Sequence, residues 1–126
     1  ANERIQSLAL QDVEGRVARQ LLAFAEVYGR TGAGGETLIP FRLTQGDLAG
    51  LIGATRVRVN QVIAAYKQRG YISVDPRYRI TIHKQDALGR RARRSIQKLN
   101  GQAGVDDRKA KTRFFEAGVP DFTGAV

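Results

Sequence analysis

Apolar residues recur along the chain with two different periods. Val13, Val17, Leu21, Phe24 and Tyr28 follow one another at intervals of 4, 4, 3 and 4, the signature of one face of an amphipathic helix. Asp12 stands where an N-cap is expected and Gly29 follows the last turn, so the pattern predicts a helix that starts after Asp12 and stops at Gly29. Residues 1–11 (ANERIQSLALQ) are also helix-compatible, with Ile5, Leu8 and Leu10 apolar, and read as the last turns of a preceding element. The run TLIPFRL at 37–43 is strand-like, and Pro40, which lacks an N–H, assigns it to a sheet edge. Leu48, Ala49, Leu51 and Ile52 predict a short helix capped by Thr44 and broken by Gly53. Val59, Val62, Ile63 and Tyr66 predict a second, capped by Thr55 and ended by Gly70. YISVDPRYRITI at 71–82 divides around Asp75-Pro76-Arg77 into two β-rich runs, a hairpin. Its inner face would hold Ile72, Val74, Ile80 and Ile82, with Arg77 at the tip and Arg79 on the outer face. Asp86 is placed to cap a last helix, DALGRRARRSIQKL, whose packing stripe is Ala87, Leu88, Ile96 and Leu99. Residues 100–126 show no clear period, and the chain has no internal repeat.

Helix, strand, two short helices joined by a glycine turn, then a hairpin: this order predicts a winged helix-turn-helix. The fold class is α+β, mainly helical, with a small antiparallel sheet. Ala49 lets the two short helices approach closely, and Gly53 supplies a left-handed turn conformation that side chains resist.

Composition narrows the chemistry. The 126 residues allow one domain, or one domain with a tail. Cysteine is absent and His83 is the single histidine, which excludes a disulfide framework, a thiolate nucleophile and a Cys- or His-rich metal site. The apolar runs are too short to cross a bilayer and no signal-peptide pattern opens the sequence, so the expected location is the cytoplasm. The glycine-rich stretch GRTGAGGET at 29–37 has the spacing of a phosphate-binding loop, but Glu36 takes the lysine position, where it would repel phosphate. Asp47 and Asp86 read as helix-start residues. No nucleophile–base pair or carboxylate dyad is visible, so an enzyme is not expected, and His83 is assigned no role.

The net charge of +9 is unevenly placed. Residues 41–98 hold 13 Lys and Arg against 3 Asp and Glu, net +10, whereas 1–40 sum to −1 and 99–126 to zero. The excess falls on the helix-turn-helix, the hairpin and the helix behind them, an electrostatic footprint suited to phosphates. Nucleic acid is therefore the expected partner, ahead of an anionic membrane surface.

Residues 12–86 resemble the C-terminal DNA-binding domain of the cyclic-AMP receptor protein/FNR family of bacterial transcription regulators. The resemblance rests on DVEGRVARQLL at 12–22, LTQGDLAGLIGATRVRVNQVI at 43–63 and RGYISV at 69–74. It implies a two-domain parent, with an effector-binding β-barrel and a dimerisation helix ahead of this domain. On that reading residues 1–11 end the dimerisation helix, 12–86 bind double-stranded DNA, and 87–126 form a basic C-terminal helix and tail. The chain would be a fragment that holds no cofactor of its own. A homodimer formed through the parent, and RNA polymerase as a further partner, are implied in the same way.

With Val59, Val62, Ile63 and Tyr66 inward, the 100° step of a helix places Val57, Gln61 and Ala64 outward, flanked by Arg56, Arg58 and Asn60. Arg56, Val57, Asn60 and Gln61 are the base-edge candidates. Family members that read G·C-containing half-sites often open this helix with an Arg-Glu pair and carry another Arg one turn later. Here Arg56 matches, but Val57 replaces the Glu and Gln61 the second Arg. The expected half-site therefore has fewer G·C contacts, because Gln or Asn suits adenine and Val a thymine methyl. Thr44, Gln45, Thr55 and Arg58 are candidate phosphate contacts, with plain helix capping as the alternative for the two threonines. Arg77 and Arg79 would reach backbone or minor groove from the wing, while Lys67 and Arg69 need only be solvated. The basic run Arg90–Lys98 either extends the footprint or is a solvated face. Phe114 and Phe115, beside Lys111 and Arg113, either dock on a partner chain or stay mobile. A winged helix can also serve as a protein-interaction or RNA-binding module. Val57 and Ala64 favour that alternative; Arg56 and Arg58 oppose it.

Overall fold

The computed structural model describes the backbone of residues 2–99 and the side chains of residues 10–93. The expected readings of Ile5, Leu8, Arg94, Ile96, Lys98, Leu99, Phe114 and Phe115, and of the tail at 100–126, lie outside the described residues or side chains.

The first element is one unbroken helix, α1, Asn2–Tyr28. The expected start at Asp12 is thus corrected: the helix runs through it. Asp12 meets Arg16 one turn on, Oδ2 to Nε at 3.2 Å, so its carboxylate is engaged by a side chain of its own helix. Gly29 ends α1, its N–H bonded to the Ala25 carbonyl at 2.8 Å. A Cβ at position 29 would lie 2.6 Å from Cγ2 of Thr37, so glycine is needed where the following strand crosses the helix end.

The glycine-rich stretch forms a tight hairpin between β1, Arg30–Thr31, and β2, Thr37–Leu38. The Glu36 carboxylate lies over Gly32, so a side chain at position 32 would have to displace it. The sheet runs in the order β1-β2-β4-β3, wholly antiparallel, with β3 at Ile72–Val74 and β4 at Ile80–Ile82. The expected edge strand at 37–43 is therefore an inner strand, and it ends before Pro40. Ile39 still donates to the Ile80 carbonyl at 2.8 Å, and the residue without an N–H comes where none is required.

Helix α2, Gln45–Ile52, and helix α3, Arg56–Gln68, form the helix-turn-helix. Helix α4 spans Gln85–Leu99 and packs along α1. Asp86 lies inside its first turn, not at the cap; the Lys84 carbonyl accepts from Leu88 N–H at 3.2 Å. Arg91 and Glu14 join α4 to α1, Nη1 to Oε2 at 3.4 Å.

The core sits where these elements meet. Val13, Val17, Leu21 and Phe24 of α1 face Val59, Val62, Ile63 and Tyr66 of α3. Leu48 and Leu51 come from α2, Ile72, Ile80 and Ile82 from the hairpin, and Leu88 and Ala92 from α4. The expected inner face of the hairpin holds, except that Val74 at its outer end is only half-buried. Ile39, Phe41 and Leu43 are buried in the link after β2, and Phe41 meets Phe24 edge-on with ring centroids 5.0 Å apart.

Candidate nucleic-acid interface

Two capped helix starts define the site. Thr44 caps α2 in a reciprocal box: Asp47 N–H donates to the Thr44 hydroxyl at 3.1 Å, and Thr44 N–H donates to the Asp47 carboxylate at 2.9 Å. Thr55 caps α3 by accepting from Arg58 N–H at 3.2 Å. Both hydroxyls thus perform the capping role, and each keeps its own O–H hydrogen to donate elsewhere. Between the helices Gly53 adopts the left-handed conformation, φ 71°, and donates to the Ala49 carbonyl at 3.0 Å. The Arg16 guanidinium reaches across from α1 to the Ile52 carbonyl at 3.0 Å, satisfying one of the open acceptors at the α2 C-terminus.

Helix α3 divides its residues as its periodicity requires. Val59, Val62, Ile63 and Tyr66 are buried, while Arg56, Val57, Arg58, Asn60, Gln61 and Ala64 are exposed. Val57 is 67% exposed, an apolar side chain that the fold itself does not use. On the core side the Tyr66 hydroxyl donates to the main-chain carbonyl of Glu14. Burial drives the Tyr66 phenol above the usual tyrosine range, and the Glu14 carboxylate pushes the same way.

Arg56 opens α3, and its guanidinium lies over the first turn of α2. A Cβ at Gly46 would stand 3.6 Å from Arg56 Nε and 3.7 Å from the Thr44 hydroxyl. Arg56, Thr44 and Gln45 therefore share one end of the α2–α3 pair.

The wing is organised by Asp75. Its carboxylate accepts from Arg77 N–H at 2.8 Å, from Arg79 N–H at 2.9 Å and from Arg79 Nε at 2.8 Å. Desolvation alone would raise this carboxyl, but the hydrogen bonds from Arg79 and Arg77 outweigh it and hold the group below its ordinary value. Of the two wing arginines expected to reach DNA, Arg77 is exposed at the tip. Arg79 is half-buried, with its Nε engaged by Asp75.

One residue at this surface escaped the sequence reading. Arg42, exposed and two positions before the Thr44 cap, lies over the ring of Tyr78 with Cζ 5.4 Å from the centroid. Its place depends on the pairing of Leu43 N–H with the Tyr78 carbonyl at 2.9 Å, which no local pattern encodes. His83, left without a role, contacts Ser73, Nε2 to Oγ at 2.8 Å, on the exposed side of the hairpin. Among the described residues no cluster of three potential metal ligands occurs, and no helix is long and apolar enough to cross a membrane.

Residues 15–91 match the family model of the Crp-like helix-turn-helix domain. Over 92 residues the chain is 39% identical to a CRP-like cAMP-activated global transcriptional regulator of Mycobacterium tuberculosis, covering 73% of this chain and 40% of that protein. It is 33% identical over 85 residues to an anaerobic regulatory protein of Bacillus subtilis, covering 68% of this chain and 35% of the relative. The crystal structure of a transcriptional regulator of the CRP/FNR family from Thermus thermophilus superposes with a TM-score of 0.56 at 26% identity, covering 73% of this chain and 46% of that one.

Proposed function

The chain belongs to the Crp-like helix-turn-helix domain family, a DNA-binding output domain of bacterial transcription regulators, and from that premise we propose how it reads DNA. Helix α3 enters the major groove N-terminus first, with Arg56, Val57, Asn60 and Gln61 toward the base edges. Thr44, Gln45, Thr55 and Arg58 donate to phosphates around the two helix starts, and Arg77 extends the contact from the wing. Arg79 acts chiefly through the Asp75 turn. The carrying observation is the exposed row Val57, Asn60, Gln61 and Ala64, backed by buried Val59, Val62, Ile63 and Tyr66. Charge surrounds this row while its centre is neutral, which separates positioning on phosphates from selection of sequence.

One short helix reads only a few base pairs, so the regulator acts as a homodimer on a two-fold site in the cytoplasm, where RNA polymerase is a further partner. On this reading these residues take no part in effector binding, such as the cAMP activation ascribed to the mycobacterial relative. No catalytic step is assigned to the chain.

Selection of bound sites from random duplexes tests the reading. The expected half-site is rich in A·T pairs, with at most one directly read guanine facing Arg56. Enrichment of half-sites with two or more directly read guanines would overturn the assignment of Val57 and Gln61. The exposed Val57 also fits an RNA- or protein-binding winged helix, so structured RNA is run as a competitor; duplex DNA should displace it.

A further inference from the structure

Tyr78 has φ 61°, and among the described residues it is the only non-glycine residue with positive φ. That conformation is unfavourable for a bulky side chain and is usually left to Gly, Asn or Asp. Core packing does not account for the tyrosine, because it is 42% exposed. The backbone is pinned on both sides: Tyr78 N–H donates to the Asp75 carbonyl at 3.0 Å, and its carbonyl accepts from Leu43 N–H at 2.9 Å. The ring faces the Arg42 guanidinium. The ion pairs among the described residues are Asp12–Arg16, Asp75–Arg79 and Glu14–Arg91, so Arg42 keeps its charge for a partner outside the fold.

We infer that Arg42 contacts a backbone phosphate of bound DNA, and that Tyr78, turned outward at the wing, is the positioning residue that aims it. An arginine held over an aromatic face by cation–π attraction is restrained in position while its N–H groups stay available to bond a phosphate. Restraining it beforehand lessens the freedom lost on binding. Arg42 also lies two positions before Thr44 in sequence, and in space beside the wing, where Leu43 pairs with Tyr78. It therefore stands between the wing that carries Arg77 and the start of α2. This inference rests on the duplex-binding reading above and adds a residue pair to it.

The test measures affinity of the full chain for a mixed-sequence DNA duplex across a salt series, where phosphate contacts dominate. Arg42→Gln should weaken binding to every sequence alike and lower the salt slope by about one unit. Tyr78→Asn, which tolerates the same backbone conformation, should lose as much affinity while melting at the same temperature or higher. Tyr78→Phe keeps the aromatic face and should bind as the parent does. The double variant Arg42→Gln/Tyr78→Asn should be no weaker than Arg42→Gln alone. Additive losses would overturn the positioning role of Tyr78. If Arg42→Gln left the slope intact while Arg58→Gln lowered it, the Arg42 contact would fall and the duplex-binding reading would stand. A parent chain that bound no duplex would remove both.

Discussion

The hydroxyl of Tyr66 on α3 donates to the main-chain carbonyl of Glu14 on α1. The reading helix is thereby anchored to the long helix by a bond from the C-terminal end of its buried face. Tyr66→Phe keeps the ring and removes only the donor, so it should cost about 1 kcal/mol in urea unfolding at neutral pH. The same contact sets an alkaline limit. The phenol is raised in the fold, so its contribution is complete below the unfolded value of about 10 and falls as pH rises beyond it. The phenylalanine variant should show a shallower loss of stability above that pH, and an unchanged slope would count against the buried phenol as its source.

Gly53 makes the turn between α2 and α3 at φ 71°, with open space where a Cβ would stand. The cost of a side chain there is conformational, not steric. Gly53→Ala should destabilise by about 1 kcal/mol, and Gly53→Asn by less, since Asn tolerates this region. Thermal melts of the two variants would check the order.

Asp75 holds the wing turn through its carboxylate, and that carboxyl is held low. A depressed group contributes fully above its unfolded value of about 3.9 and loses its contribution as pH falls through the folded value. Amide resonances of Arg77 and Arg79 should therefore move together in acid, below that point. Asp75→Asn should abolish their common titration and lower stability at neutral pH.

Gln20 is buried in α1, and among the described residues its Nε2 has no hydrogen-bond partner. An orphaned amide is a penalty that an apolar group of similar shape avoids. Gln20→Met should be neutral or stabilising by up to about 1 kcal/mol in chemical denaturation. A loss of that size would show that the amide is in use.

The helix-turn-helix was legible because its signals are local: a hydroxyl cap, an apolar stripe and a glycine stop, repeated at Thr44–Gly53 and Thr55–Gly70. The exposed row on α3 followed from angular spacing alone. What escaped depends on partners distant in sequence. Asp12 offers a good cap, but α1 continues through it and its carboxylate serves Arg16 instead. Pro40 suggested an edge, yet β2 gains neighbours on both sides by stopping two residues earlier. Arg79 alternates outward on paper, but the Asp75 turn draws it in. Arg42 had no motif of its own, since Tyr78, which gives it meaning, lies 36 residues further on.

Glu14 and Arg16 are two residues apart on α1, and they hold different parts of the reader: the Glu14 carbonyl holds Tyr66 in α3, and the Arg16 guanidinium holds the last turn of α2. Less than one turn of α1 thus carries a tie to each of the two short helices. The long helix is a common base for the helix pair: a substitution that shifted this turn of α1 would disturb α2 and α3 together.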